Sequence, residues 1–153
     1  RQRPADMRFT DEAGVELGHG HTYAGNPLSA AAGLAALQEI LERDLVANGR
    51  AMGERMVGHL KRMAAKYGIL GEIRGKGLLW GVELVQDTAT KTPFTCKPGI
   101  GKRIGAECEK RGLILRHDPE WVAFAPPLIV NAEEVDAMCA ILDDSIGAAL
   151  DEL

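Results

Sequence analysis

Cysteine, aromatic residues and net charge of either sign are all scarce in this chain of 153 residues. The three cysteines, Cys96, Cys108 and Cys139, stand far apart and lack C-x-x-C spacing. That excludes a disulfide framework and a cysteine zinc site, and it points to a reducing compartment, the cytoplasm. Lys plus Arg is 18 and Asp plus Glu is 22, so the net charge is −4 and there is no basic cluster of the kind a phosphate backbone requires; nucleic acid is not a partner. No run of about 18 apolar residues occurs, which excludes a membrane-spanning helix. Arg1-Gln2-Arg3-Pro4 lacks the apolar stretch of a signal peptide. Leu150-Asp151-Glu152-Leu153 is only loosely similar to a retention signal and means little without a secretory one. Ser-His-Asp sets, H-E-x-x-H motifs and paired carboxylates do not stand out. What remains has the composition of one globular domain, or one domain plus a piece of another.

Residues 1–18 show no sustained period, and such a start reads as the edge of a larger protein. Asn26-Pro27 then opens a helix, with Asn as N-cap and Pro at the first helical position. Leu34, Leu37, Leu41 and Leu45 recur at helical spacing, and the helix is predicted to end near Arg43. Gly49, Met52, Met56, Leu60, Met63 and Tyr67 mark a second helix closed by Gly68; its glycines mean that packing, not propensity, stabilises it. Strands are predicted at Leu70–Arg74 and Leu78–Val85, joined through Gly75-Lys76-Gly77, followed by a loop over residues 86–98. Ile100, Ile104 and Cys108 mark a third helix ending near Gly112. Leu113–Arg116 and Trp121–Ala125 read as strands around a His117-Asp118-Pro119-Glu120 turn. Asn131 with Glu134 forms a capping box for a last helix, with Val135, Met138, Leu142, Ile146, Leu150 and Leu153 as its buried stripe. The order α-α-β-β-α-β-β-α describes an α+β unit: a small antiparallel-type sheet with packed helices. Cys108 and Cys139 fall on helix faces as packing residues.

Few residues carry chemistry. His19-Gly20-His21-Thr22-Tyr23-Ala24-Gly25 is a glycine-spaced turn running into a helix N-terminus, where free amides and the helix dipole favour anions. The Thr22 hydroxyl can add a hydrogen bond to a phosphate there; the alternative is a plain capped helix after a tight turn. His19 and His21 have no carboxylate or third His nearby in sequence, so no metal site is assigned. Arg116, on a strand end, can present a bidentate fork to a carboxylate, or it can pair with Asp118 or Glu120. Glu83, in an apolar strand, is predicted to pair with Arg74 across neighbouring strands. Arg74-Gly75-Lys76-Gly77 lacks P-loop spacing and reads as a hairpin connection.

In order along the chain, four segments resemble the C-terminal portion of class III pyridoxal-phosphate aminotransferases, the omega-amino acid:pyruvate group in particular. They are His19-Gly20-His21-Thr22-Tyr23-Ala24-Gly25-Asn26-Pro27-Leu28, Arg74-Gly75-Lys76-Gly77-Leu78-Leu79-Trp80-Gly81-Val82-Glu83-Leu84, Gly112-Leu113-Ile114-Leu115-Arg116 and Ala125-Pro126-Pro127-Leu128-Ile129-Val130. The resemblance implies a fold-type I enzyme with pyridoxal 5'-phosphate as cofactor. Residues 1–43 then belong to the edge of the large cofactor domain and an interdomain helix, and residues 44–153 form the C-terminal small domain. It also implies a homodimer, an amine and a keto acid as substrates, contact of Thr22 with the cofactor phosphate of the partner subunit, and binding of the substrate carboxylate by Arg116.

One departure from the family stands out. The Lys that forms the Schiff base lies, in the family, upstream of the segment matching His19–Tyr23, and none of residues 1–18 is Lys. Lys61, Lys66, Lys76, Lys91, Lys97, Lys102 and Lys110 match no catalytic position. The expectation is an aminotransferase fragment that is inactive alone. The competing expectation is a stand-alone α+β module that binds a ligand or a partner without catalysis.

Overall fold

The computed structural model describes residues 22–153. They fall into two units, one ending at Gln38 and one running from Glu39 to Leu153. The first holds the turn at residues 22–25 and most of helix α1 (Pro27–Glu42). Its cap is the predicted one: the Asn26 side-chain oxygen accepts from the amides of Leu28 and Ser29, each at 3.1 Å. Leu34, Leu37 and Leu41, at helical spacing, are all more than half exposed.

Within the second unit Asp44 takes a left-handed conformation, which ends α1 and starts helix α2 (Leu45–Tyr67). α2 therefore opens four residues before Gly49, and Leu45 is buried on α2 instead of extending the α1 stripe. Gly68, at φ 66°, closes α2 as predicted, its amide bonding the Ala64 carbonyl. Strands β1 (Leu70–Lys76) and β2 (Leu79–Leu84), helix α3 (Ile100–Lys110), strands β3 (Arg116–Asp118) and β4 (Trp121–Phe124), and helix α4 (Ala132–Asp151) follow. The sheet has four strands in the order β1-β2-β4-β3, every neighbour antiparallel. The predicted antiparallel sheet with packed helices is the observed one.

Two strand boundaries are corrected. β1 continues through Lys76, so only Gly77 and Leu78 make the turn to β2. Leu113 to Leu115 do not pair; their alternation of buried Leu113 and Leu115 with Ile114, 86% exposed, belongs to an extended segment leading into β3. Period-two burial marks any extended chain lying on a core, whether or not it joins a ladder.

Helices and core share one face of the sheet. α2 packs on β1, α3 on β3 and β4, and α4 against α2 and α3. Val82 and Val122 are cross-strand neighbours in this core, together with Met56, Leu60, Ile104 and Leu142. Cys108 and Cys139 are fully buried among them, and burial pushes the Cys139 thiol up to about 11. The α4 capping box is complete, with Asn131 and Glu134 each accepting the other's amide at 2.9 Å. Its stripe stops earlier than predicted: Leu153 lies past the helix end and is exposed.

A close backbone approach involves Gly53. A methyl group there would collide with the backbone carbonyl of Gly77, so α2 reaches the β1–β2 turn backbone to backbone. Gly53→Ala should destabilise the chain by roughly 1–3 kcal/mol, the usual cost of overpacking. Urea unfolding measures this, and a variant of wild-type stability would mean that the contact is slack.

α2 and α4 are also pinned by charge. Arg55 forks onto Asp136 with bonds of 2.7 and 2.5 Å, and His59 Nε2 lies 2.8 Å from the same carboxylate. These hydrogen bonds, Arg55 first, hold the Asp136 carboxyl far below its usual range. On α3, hydrogen bonds from Arg111 and Lys110 depress Glu107 in the same direction. A depressed folded-state pKa makes the unfolded chain the better proton acceptor as pH falls. The stabilisation is complete at neutral pH and is lost below about pH 5, where unfolded carboxylates begin to titrate. Asp136→Asn should lower the urea midpoint at neutral pH and flatten its decline between about pH 5 and pH 3; an unaltered decline would dismiss Asp136 as its source.

Candidate functional site

Helices α2, α3 and α4 cover one face of the sheet, so the other face presents its side chains outward. The ladder register places Arg74, Gly81, Ala123 and Arg116 in one row across the four strands. The next row holds Glu83, Trp121 and Asp118. Gly81 and Ala123 are the smallest residues in that row, and they leave open space beside Arg116.

Arg116 lines an open cleft of about 460 Å³ with Leu79, Ile114, Ala123 and Pro126. A second cleft of about 420 Å³ shares Leu79, Ala125 and Pro126 with it and adds Arg50 and Lys76. Neither cleft is lined by an Asp or Glu. Of the two alternatives for Arg116, the ion pair is not formed: among the described residues no carboxylate lies within 4.0 Å of its guanidinium. The guanidinium carbon instead sits 5.9 Å from the centroid of the Trp121 ring. Trp121 is a residue that sequence reading passed over. The signal was present: with β3 starting at Arg116, alternation and register bring the two side chains to one face.

The predicted Glu83–Arg74 pair is absent. The hairpin register sets Arg74 opposite Gly81, not opposite Glu83, and Arg74 Nε lies 3.7 Å from Glu72 instead. Glu83 Oε2 is enclosed and has no hydrogen-bond partner among the described residues.

Thr22 lies in the first unit, exposed, in a turn that reaches Gly25 at φ 78°. The helix N-terminus behind it is not the open amide cradle predicted from sequence. Pro27 has no N–H, Leu28 and Ser29 bond the Asn26 side chain, and Ala30 bonds the Asn26 carbonyl at 2.9 Å. The Thr22 hydroxyl is a donor here suited to an anion. His19 and His21 lie outside the described residues, and among the described residues no three His, Cys, Asp or Glu side chains group as a metal site. No Lys falls between Thr22 and Asp44. The described part of this segment thus fits a phosphate contact and offers no amine for covalent attachment.

Residues 7–146 match the aminotransferase class-III family, and the chain belongs to that family. It is 38% identical over 137 residues to an uncharacterized aminotransferase, y4uB, of Sinorhizobium fredii, covering 88% of this chain and 29% of that protein. It is 35% identical over 130 residues to rice gamma-aminobutyrate transaminase 1, mitochondrial, covering 85% of this chain and 25% of the relative. The PMP-bound aminotransferase of Vibrio fluvialis superposes with a TM-score of 0.81 at 33% identity, over 92% of this chain and 31% of that one. A PLP-bound amine transaminase from an uncultivated Pseudomonas species gives 0.80 at 31% identity, over 87% and 30%. The chain spans less than a third of the length of these relatives.

Because Arg116 makes no ion pair, Asp118→Asn and Glu120→Gln should each leave the free energy of unfolding, measured with urea, within about 0.5 kcal/mol of wild type. A clear loss in either would show that the pair forms in solution.

Proposed function

We propose that this chain is the C-terminal part of a pyridoxal-phosphate transaminase that moves an amino group from an omega-amino acid or amine to a keto acid such as pyruvate. Residues 1–43 are the edge of its cofactor domain and residues 44–153 its small domain. The active enzyme is a cytoplasmic homodimer. The observation that carries this reading is the unpaired Arg116 over an open, acid-free cleft. Its planar fork matches a substrate carboxylate in two parallel hydrogen bonds. Thr22 donates its hydroxyl to the cofactor phosphate. When bound, the cofactor carries the amino group between donor and acceptor.

The two side chains named here bind and orient; neither is a nucleophile or a base. The 153 residues alone are therefore inactive. Incubated with pyridoxal phosphate and trapped with borohydride, the chain should give only scattered, substoichiometric adducts on its lysines. One stoichiometric adduct at a single Lys would overturn the reading. In a longer transaminase carrying this segment, Arg116→Ala should slow carboxylate-bearing substrates by about 10–100-fold, the range for a lost charged hydrogen bond, and spare simple amines. Equal losses for both substrate types would remove Arg116 from its role.

A further inference from the structure

Carboxylates stand near Arg116 along the ladder, outside the cleft that it lines, and it pairs with none of them. Asp118 lies two residues further along β3 on the same face, Glu120 sits in the following turn, and Glu83 shares a row with Trp121. Three arginines of this chain do fork onto or pair with a nearby acid: Arg55 with Asp136, Arg111 with Glu107 and Arg43 with Glu39. What sets Arg116 apart is the indole 5.9 Å from its guanidinium carbon. A guanidinium has two chemically separate surfaces, a face that stacks on aromatic rings and an edge of N–H donors. An ion pair with Asp118 would occupy the edge. A cation–π contact made through the face leaves the edge to a ligand.

We propose that Trp121 is a positioning residue, holding Arg116 by its face so that its N–H edge stays unpaired and open to a ligand carboxylate. The inference rests on the carboxylate-binding reading of Arg116. Trp121 suits the task because β4 is an inner strand, paired on both sides, and the ring is half-buried between Glu83 and Asp118 in its row. Gly81 and Ala123, next to Arg116 in its own row, offer no side chain that competes for the fork.

The test is NMR on the 153-residue chain with the Arg116 side-chain Nε–Hε resonance assigned and propionate as the probe. In wild type that resonance should carry an upfield ring-current shift and should move further as propionate is added. Trp121→Leu should abolish the ring-current shift and weaken propionate binding about threefold, the order of an exposed cation–π contact. Trp121→Phe should lose less. Combining Trp121→Leu with Asp118→Asn should restore the affinity, because the competing carboxylate is gone. Asp118→Asn alone should change nothing, and this arm stands even where the Leu variant folds poorly. Unchanged propionate affinity in Trp121→Leu, or a several-fold gain in Asp118→Asn alone, would overturn the positioning role while leaving the carboxylate site intact. A wild-type Arg116 that ignores propionate would overturn the reading beneath it as well.

Discussion

Helix α2 lies against the β1–β2 turn only because position 53 carries no side chain, and the arrangement of the second unit follows from that contact. With α2 seated, Met56, Leu60 and Met63 reach the inner side of the sheet and α4 packs alongside, fixed by the Arg55–Asp136 fork. All three helices of this unit then lie on one side. A sheet with one dry side and one open side sorts its strands by alternation: Val82 and Val122 turn inward, while Arg74 and Arg116 turn outward.

Local signals in the sequence were the dependable ones. Asn131 with Glu134, Gly68 after Tyr67 and Asn26 before Pro27 each act within one turn of helix, and each is found as read. Signals that needed a partner elsewhere in the chain were not legible. The alternation at Leu113 to Leu115 looked like a strand because burial of an extended segment has the same period as burial of a ladder. Gly53 looked like a weak point in a helix, since the carbonyl it accommodates is 24 positions away, at Gly77. Glu83 and Arg74 stand on neighbouring strands as read, but the hairpin register sets Arg74 opposite Gly81 and its guanidinium lies beside Glu72.

The candidate site shows the same division. Thr22 and Arg116 were named from the sequence by residue type, neighbourhood and likeness to a family. Their surroundings were not. The amides behind Thr22 are consumed by Asn26, so a hydroxyl, and not a helix terminus, is the donor on offer. Arg116 ignores the acids that follow it in the chain and rests on a ring from the next strand. In both places the physical context comes from hydrogen bonding or register, neither of which a linear reading weighs.

The thiols have a practical consequence. Cys108 and Cys139 sit at zero exposure, and burial raises the pKa of both, so at neutral pH they remain protonated and shielded from electrophiles. Cys96, in the loop ahead of α3, is half-covered and stands apart from them. A maleimide dye or spin label thus has a single natural address, and the native sequence can report on the surroundings of that loop without any engineered attachment point.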